Sequence, residues 1–265
     1  MRNRKVGGRI MNNIMNLFSL EGKTAIVTGA NTGLGQGISV ALAAAGAHVF
    51  GVARRSCAET AEKIHEVGGQ FTEVIADLSE FASIEKIVSE VNAQTHRIDI
   101  LVNNAGMIKR CDAIDVTPED WDAVTDLNEK IVFFLSQAVA KQWLADGKGG
   151  KIINIASMLG YQGGIRVPSY TASKSAIVGL TKALANEWAQ YGVNVNAIAP
   201  GYMATNNTTQ LRSDESRNDD ILARIPAGRW GTPEDMYGAA IFLASDASAY
   251  MNGFTVAVDG GWLAR

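Results

Sequence analysis

Short apolar runs alternate with longer segments of helical periodicity along most of this chain, and the alternation restricts the possible folds strongly. The runs have the length and continuous hydrophobicity of strands buried on both faces of a parallel sheet. They cover 24–29, 47–53, 71–76, 99–105, 151–157, 193–199 and 254–260. Helical patterns cover 33–45, 57–67, 81–94, 117–145, 169–190 and 233–244. Right-handed crossovers between such strands predict an α/β fold with an open, doubly wound, seven-stranded parallel sheet of the Rossmann type.

Length and composition favour one domain. The chain has 265 residues, and no repeat or linker divides it. We expect a flexible extension at 1–16 and a single domain at 17–265. The polar segment 202–228 follows a strand end and is expected to form a lid of one or two short helices, with an ordinary surface excursion as the alternative.

Charge, cysteine spacing and hydrophobic length argue against a nucleic-acid partner, a cysteine metal site and a membrane protein. A net charge of −3 provides no concentrated basic face for nucleic acid. Cys57 and Cys111 are far apart and lack metal-ligand spacing, which favours reduced thiols. Because no apolar stretch approaches the length of a membrane span or a signal peptide, we expect a cytoplasmic protein.

A glycine-rich turn joins the first strand to the first helix. Glycines permit a tight turn and a close backbone approach, and the helix N-terminus offers free N–H groups to a pyrophosphate. The spacing is G-x-x-x-G-x-G rather than G-x-G-x-x-G. The candidate cofactor residues in this turn are Gly29, Asn31, Thr32, Gly33, Leu34 and Gly35.

Further candidate cofactor residues lie at other strand ends. Asp77 can accept a hydrogen bond from an adenine amino group, or can cap the next helix, and Leu78 follows it. Small residues after the fourth strand allow the backbone to approach a cofactor. The candidates here and after the sixth strand are Asn104, Ala105, Gly106, Pro200, Gly201 and Thr205.

Ser157, Tyr170 and Lys174 form the candidate reaction centre. The i,i+4 spacing places Tyr170 and Lys174 on one face of a helix, where they can interact. A nearby ammonium is expected to lower the pKa of a phenol toward the working range, so that the tyrosine can exchange a proton. Ser157 can donate a hydrogen bond to the same carbonyl oxygen. This set predicts carbonyl–alcohol interconversion.

From about Leu20 to Arg265, the chain resembles the short-chain dehydrogenase/reductase family. The matching motifs are TGANTGLG, NNAG, Asn128 within DLNEKIVFF, Ser157, Tyr170-x-x-x-Lys174 and Pro200-Gly201. The resemblance implies an NAD(P)-dependent oxidoreductase in which Tyr170 and Lys174 also contact the cofactor and Asn128 holds a proton-relay water. It also implies a homotetramer assembled through the two long helices and the final strand.

A closer resemblance, carried by blocks such as QGGIRVPSYTASKS and AVDGGWLAR, is to members of the family that act on keto sugar acids. A sugar-acid substrate requires a cation for its carboxylate. Arg166 beside Gln162 is the first candidate. Lys109 and Arg110 come next, followed by Arg212 in the lid, while a surface location is the alternative for Arg166.

The sequence is compatible with either NAD(H) or NADP(H) and with more than one substrate. The second strand is followed by Arg54 and Arg55 with no acid, which favours NADP(H), whereas the resemblance favours NAD(H). A dehydrogenase of gluconate and a reductase of acyl-carrier-protein substrates are alternatives within the family. A dinucleotide-sensing protein without catalysis is an alternative of another class.

Overall fold

The fold was analysed in a computed structural model that describes residues 14–265. Seven strands form one parallel sheet in the order β3-β2-β1-β4-β5-β6-β7, so the predicted doubly wound topology is confirmed. The strands are β1 (Thr24–Thr28), β2 (His48–Ala53), β3 (Gln70–Ile75), β4 (Ile100–Asn103), β5 (Lys151–Ile155), β6 (Asn194–Pro200) and β7 (Thr255–Val258).

Helices cover both faces of the sheet. They are α1 (Gly33–Ala44), α2 (Ala58–Glu66), α3 (Ser83–Gln94), α4 (Pro118–Thr125), α5 (Ile131–Ala145), α6 (Pro168–Trp188), α7 (Thr209–Ser213), α8 (Glu215–Arg224) and α9 (Tyr237–Ala244). Successive strand side chains point to opposite faces. Val27 therefore joins the cluster under α1 and α9, whereas Ile26 joins the cluster under α3, α5 and α6.

Two helix starts combine a threonine cap with a proline and acidic residues in the first turn. The Thr117 hydroxyl accepts a hydrogen bond from the Asp120 amide at 3.1 Å, which caps α4. Thr232 and Asp235 form a reciprocal capping box at a 3₁₀ turn, Pro233–Met236, that leads directly into α9.

The predicted helix 117–145 is not continuous. A π-helical turn at Asp126–Lys130 separates α4 from α5 and contains the buried Asn128. The Asn128 side chain bonds the backbone of Met107, and the extra residue of a π turn allows this inward position.

The segment 202–228 contains α7 and α8, separated by Asp214. At the other end, most of the predicted extension 1–16 lies outside the described residues. Its last residues belong to a 3₁₀ turn, Ile14–Phe18, and the Phe18 ring lies 6.5 Å from that of Phe242. Of the helices within residues 14–265, none combines the length and the hydrophobicity needed to cross a membrane.

Candidate active site

A cleft opens at the carboxyl ends of the strands, where the strand order reverses between β1 and β4. This switch point is where doubly wound sheets bind ligands. The cavity has a volume of about 400 Å³ and is lined by the ends of β1, β2, β4, β5 and β6 and by the turn 205–208. Predicted cofactor and catalytic residues from distant parts of the chain therefore share one cavity.

The glycine turn forms a cradle whose glycine positions do not favour side chains, because of backbone conformation at two of them and of close contacts at the third. Gly29 and Gly33 have φ values of +67° and +59°, in the left-handed region that favours glycine. A Cβ atom on Gly35 would lie 2.1 Å from the Gly29 carbonyl oxygen. The α1 N-terminus begins at this turn, and its N–H groups suit a pyrophosphate. The geometry fits a dinucleotide.

Asn104 and Thr28 connect the glycine turn to the end of β4. The Asn104 side-chain amide donates to the carbonyl of Thr28 at 2.9 Å. In return, the Thr28 hydroxyl accepts from the amides of Asn104 and Ala105, at 3.0 and 2.9 Å. The sequence reasoning did not single out Thr28, because its hydroxyl belongs to a buried strand whose pattern indicates only packing.

The opposite end of the cavity contains charged groups. Arg54 lies 3.9 Å from Asp77, measured between Nη1 and Oδ2. The Asp77 carboxylate also accepts hydrogen bonds from the amide and hydroxyl of Ser79, at 2.9 and 2.7 Å. Burial acts to raise the pKa of Asp77, but the bonds from Ser79 and the charge of Arg54 outweigh it and lower that pKa. Arg55 and Leu78 line the same end.

Ser157 and Tyr170 meet at the base of the cavity. Ser157 follows β5 and begins a tight turn, and its hydroxyl accepts from the Leu159 amide at 3.1 Å. Tyr170 lies in the first turn of α6. Burial raises the pKa of Tyr170, while a hydrogen bond with Ser157 and the charge of Arg110 act to lower it. The side chains are thus arranged around a position where a carbonyl oxygen can bind.

The surroundings of Lys174 differ from the expectation that this ammonium lowers the pKa of Tyr170. Its ammonium nitrogen donates to the Ile155 carbonyl at 2.6 Å and lies 5.6 Å from the centroid of the Tyr170 ring. Burial lowers the pKa of Lys174 to about 8. The expectation that Lys174 brings the pKa of Tyr170 below its usual value is wrong for this structure, because burial of the phenol dominates and the ammonium lies over the ring face.

Asn128 is buried near the same helix. Its amide group donates to the Met107 carbonyl at 2.9 Å and to the Ser173 hydroxyl at 3.2 Å, and its oxygen accepts from the Met107 amide at 2.8 Å. Both amide hydrogens are therefore used. A relay water on this side chain has one remaining lone pair of the oxygen available to it.

The 200–208 region closes the cavity above the glycine turn. Pro200, Gly201 and Thr205 line it, together with Met203 and a short turn that the sequence reasoning missed, Asn206–Thr208. A Cβ atom on Gly33 would lie 3.6 Å from the Thr205 side chain, so this segment faces the cradle directly. Polar composition alone does not distinguish such a turn from a surface loop.

The predicted substrate cations differ in whether they line the cavity. Arg110 lines the cavity, and its guanidinium donates to the Asn207 carbonyl at 3.2 Å. Arg166 lies outside the cavity and pairs with Asp112 at 2.9 Å. Its φ value of +65° is in the left-handed region, and its carbonyl accepts from Cys111. This structure therefore does not bring Arg166, the first candidate, into the cavity.

The other substrate candidates do not themselves line the cavity. Gln162 accepts from the Arg224 guanidinium at 3.3 Å, and Arg212 donates to the Thr205 carbonyl at 3.2 Å. Lys109 pairs with Asp120. These contacts leave Arg110 as the predicted substrate cation that faces the reaction centre.

Comparisons with known proteins agree with this site. The family model described as short chain dehydrogenase matches residues 23–216. A 2-dehydro-3-deoxy-D-gluconate 5-dehydrogenase from Dickeya dadantii is 59% identical over 95% of this chain and 100% of the relative.

Two crystal structures are similar over nearly the whole chain. One, from Agrobacterium tumefaciens with bound NADP, bears the provisional name 2-deoxy-D-gluconate 3-dehydrogenase. It is 55% identical, with a TM-score of 0.88, over 94% of this chain and 100% of that one. The other is a gluconate 5-dehydrogenase from Burkholderia cenocepacia in complex with NADP and tartrate. It is 38% identical, with a TM-score of 0.90, over 95% of this chain and 99% of that one. The chain belongs to the short-chain dehydrogenase family and is an NAD(P)-dependent oxidoreductase.

Proposed function

We propose that this enzyme reduces the C5 ketone of 3-deoxy-D-glycero-2,5-hexodiulosonate and so forms 2-dehydro-3-deoxy-D-gluconate. The observation that carries this proposal is the near full-length identity of 59% to a dehydrogenase named for that product. The shared cavity of Ser157, Tyr170 and Lys174 supports it, since these groups suit a ketone.

The chemistry follows from the positions of three side chains. Bound NAD(P)H supplies the hydride that forms the new C–H bond at the ketone carbon. Tyr170 gives its phenolic proton to the ketone oxygen, and Ser157 donates a hydrogen bond that stabilises the negative charge developing there. Because Tyr170 has a raised pKa, it carries its proton at neutral pH. Lys174 stabilises the base of the site through its hydrogen bond to the Ile155 carbonyl.

Arg110 is proposed to bind the substrate carboxylate. Among the described residues, the cations lining the cavity are Arg54 and Arg55 at the adenine end, Lys174 at the base and Arg110 on the substrate side. The Lys174 ammonium donates a hydrogen bond to the Ile155 carbonyl, whereas the Arg110 guanidinium donates one hydrogen bond, to the Asn207 carbonyl. A guanidinium can pair with a carboxylate through two parallel hydrogen bonds. Arg110 also influences the pKa of Tyr170.

Arg110→Gln is expected to raise KM for the keto acid by about tenfold or more, in line with the loss of a charge-assisted hydrogen bond. An uncharged ketone is expected to show a change of less than about threefold, since it lacks the group that Arg110 binds. Arg166→Gln is the matched control, because Arg166 is paired with Asp112 outside the cavity. Equal effects of Arg110→Gln on both substrates would reject the carboxylate role.

Arg54 and Arg55 bear on the choice between NADP(H) and NAD(H). Both line the cavity beyond the end of β2, where Ala53 provides no carboxylate for a ribose hydroxyl. Two arginines suit a 2′-phosphate, and the two similar structures above contain NADP. We propose that the enzyme accepts NADP(H) and that Arg54 increases its affinity relative to NAD(H).

A coupled assay of purified protein with the diketo acid, using NADH and NADPH in turn, tests substrate and cofactor together. The proposal predicts a kcat/KM for the diketo acid above that for 5-keto-D-gluconate, which has a hydroxyl at C3. A higher value for 5-keto-D-gluconate would instead favour a gluconate 5-dehydrogenase, the second candidate, which the similarity to the Burkholderia structure supports.

We further propose that the protein works in the cytoplasm as a homotetramer, as the family resemblance implies. Two exposed aromatic rings, of Tyr250 and Phe254, precede β7 in the chain and support burial of this edge against another copy. Light scattering at micromolar concentration tests the assembly. A monomeric mass would reject it.

A further inference from the structure

A preorganised turn follows β7. We call residues 259–265 the anchor segment. In this segment, the Asp259 carboxylate accepts hydrogen bonds from the amides of Gly261 and Leu263, at 2.9 and 2.8 Å. Gly260 and Gly261 have φ values of +63° and +89°, which favour glycine. A Cβ atom on Gly261 would lie 3.0 Å from the ring of Pro226. The glycines therefore let the anchor segment pack directly against the residues after α8.

Arg265 caps the C-terminal end of α8. The last carbonyls of a helix lack intrahelical partners and carry partial negative charge. At α8, the Ile225 amide donates to the carbonyls of Ile221 and Leu222. The next two carbonyls, of Ala223 and Arg224, accept from the Arg265 guanidinium at 3.0 and 2.6 Å. Arg265 thus completes the hydrogen bonding of this helix end.

Trp262 holds α8 through the faces of its ring. The Arg224 guanidinium lies 4.1 Å from the Trp262 ring centroid, and the Tyr202 ring meets it edge-on at 4.8 Å. The side chain is 4% exposed, and its indole N–H has no hydrogen-bond partner within residues 14–265. Its contribution is therefore packing and cation–π attraction.

The same contacts extend to the turn that carries Ser157. Met158 packs in one buried cluster with Trp262 and with Ile221 and Ile225 at the end of α8. Arg224 also donates to Gln162 at 3.3 Å. The anchor segment is thus connected through α8 to the turn that begins at Ser157, which lines the cavity. In contrast, all residues of α7 are exposed or half-buried.

We propose that Trp262 and Arg265 are positioning residues, which hold α8 against the turn 157–162 and thereby set the affinity for substrate. Neither side chain lines the cavity, so they act through Arg224 and Met158. The proposal rests on the proposed function only for its kinetic readout, since the position of α8 is measurable without any substrate.

The test compares Arg265→Ala with two matched variants of the full chain. Arg265→Lys keeps a cationic donor for the helix carbonyls. Arg217→Ala removes a charge from an exposed position in the first turn of α8, at the opposite end of the helix from the carbonyls that Arg265 binds. Amide hydrogen exchange across 215–224, measured by mass spectrometry, reports the docking of α8. KM for the keto acid, kcat and the Kd for NADPH report its effect on the site.

Arg265→Ala is expected to speed exchange in α8 by about fivefold to tenfold, in line with the loss of charge-assisted hydrogen bonds at a helix end. KM is expected to rise by a similar factor, while kcat and the NADPH Kd stay within about twofold. Arg265→Lys should recover most of both effects, and Arg217→Ala should show neither.

Unchanged exchange in Arg265→Ala would overturn the proposal, as would an equal rise of KM in Arg217→Ala. Two further variants test the ring face of Trp262. Trp262→Leu removes the aromatic face and should speed exchange in α8 by at least about fivefold. Trp262→Phe keeps a smaller aromatic face and loses the second ring together with the indole N–H, so it should speed exchange less than Trp262→Leu. Equal exchange in the two variants would contradict the role given to the ring face. If the unmodified protein reduces no keto acid, the proposed function fails while the exchange comparison still decides this proposal.

Discussion

Lys174→Met is expected to stabilise the protein at neutral pH while abolishing activity. Lys174 is 5% exposed, and burial lowers its pKa to about 8. Below that pH, the folded protein therefore carries a buried ammonium whose main contact is one carbonyl, that of Ile155. Methionine has a similar length and carries no charge, so the variant removes the desolvation cost.

The magnitude follows from the pKa difference. A fall from the ordinary 10.5 to about 8 corresponds to about 3 kcal/mol of destabilisation at pH 7. Leaving the Ile155 carbonyl without its donor costs about 1–3 kcal/mol. The net expectation is a gain of about 1 kcal/mol in the free energy of unfolding, which corresponds to about 2–4 °C in Tm.

The pH dependence gives the sharper test. Because the folded-state pKa is the lower one, the unfolded state binds more protons between pH 8 and 10.5, and the unmodified protein gains stability as pH rises through this window. The advantage of Lys174→Met should therefore fall by about 2 kcal/mol between pH 7 and pH 9.5.

Urea unfolding of the unmodified protein, Lys174→Met and Lys141→Met at both pH values measures these differences. Lys141 is exposed on α5, and its replacement should change stability by less than about 0.5 kcal/mol. A stability difference for Lys174→Met that does not change with pH would refute the reasoning.

Three further predictions concern the cavity. Gly35→Ala should raise the NADPH Kd at least about tenfold, since its Cβ would lie 2.1 Å from a carbonyl oxygen. Gly179→Ala, whose Cβ would meet no described atom within 4 Å beyond its chain neighbours and its own helix backbone, should leave that Kd unchanged in a fluorescence titration. Arg54→Ala should weaken NADPH binding by about fivefold to tenfold more than NADH binding, because only NADPH has the 2′-phosphate; equal weakening would exclude a phosphate contact. In steady-state assays, Ser157→Ala should lower kcat by about 10²-fold with a small change in KM. A change confined to KM would contradict the proposal that Ser157 stabilises the developing charge.

The sheet could be predicted because most strands are short, mainly apolar runs and each crossover has one strongly preferred hand. The strand ends then place the glycine turn, Asn104 and Ser157 at one edge without any knowledge of side-chain contacts. Helical spacing places Tyr170 and Lys174 on one face, and the family motifs around them identify the pair as the reaction centre. All of these line one cavity in the structure.

Side-chain directions in turns could not be predicted in this way. Arg166 is next to the reaction centre in sequence, but its left-handed backbone accompanies a pairing with Asp112 instead of a position in the cavity. The π turn at Asn128 is invisible to periodicity, because it depends on bonds to Met107, which is distant in sequence. Similarly, a spacing rule places Lys174 beside Tyr170 but contains no information on how deeply the phenol is buried, and burial decides its pKa.

The central claim is that Tyr170 transfers the proton to the ketone oxygen, and Tyr170→Phe tests it most directly. Stopped-flow and steady-state assays of this variant should show kcat reduced by about 10²–10⁴-fold, with the NADPH Kd within about twofold of the unmodified value. Tyr161→Phe, at an exposed position on the neighbouring turn, should retain full activity. Turnover of Tyr170→Phe within about threefold of the unmodified enzyme would contradict the assignment.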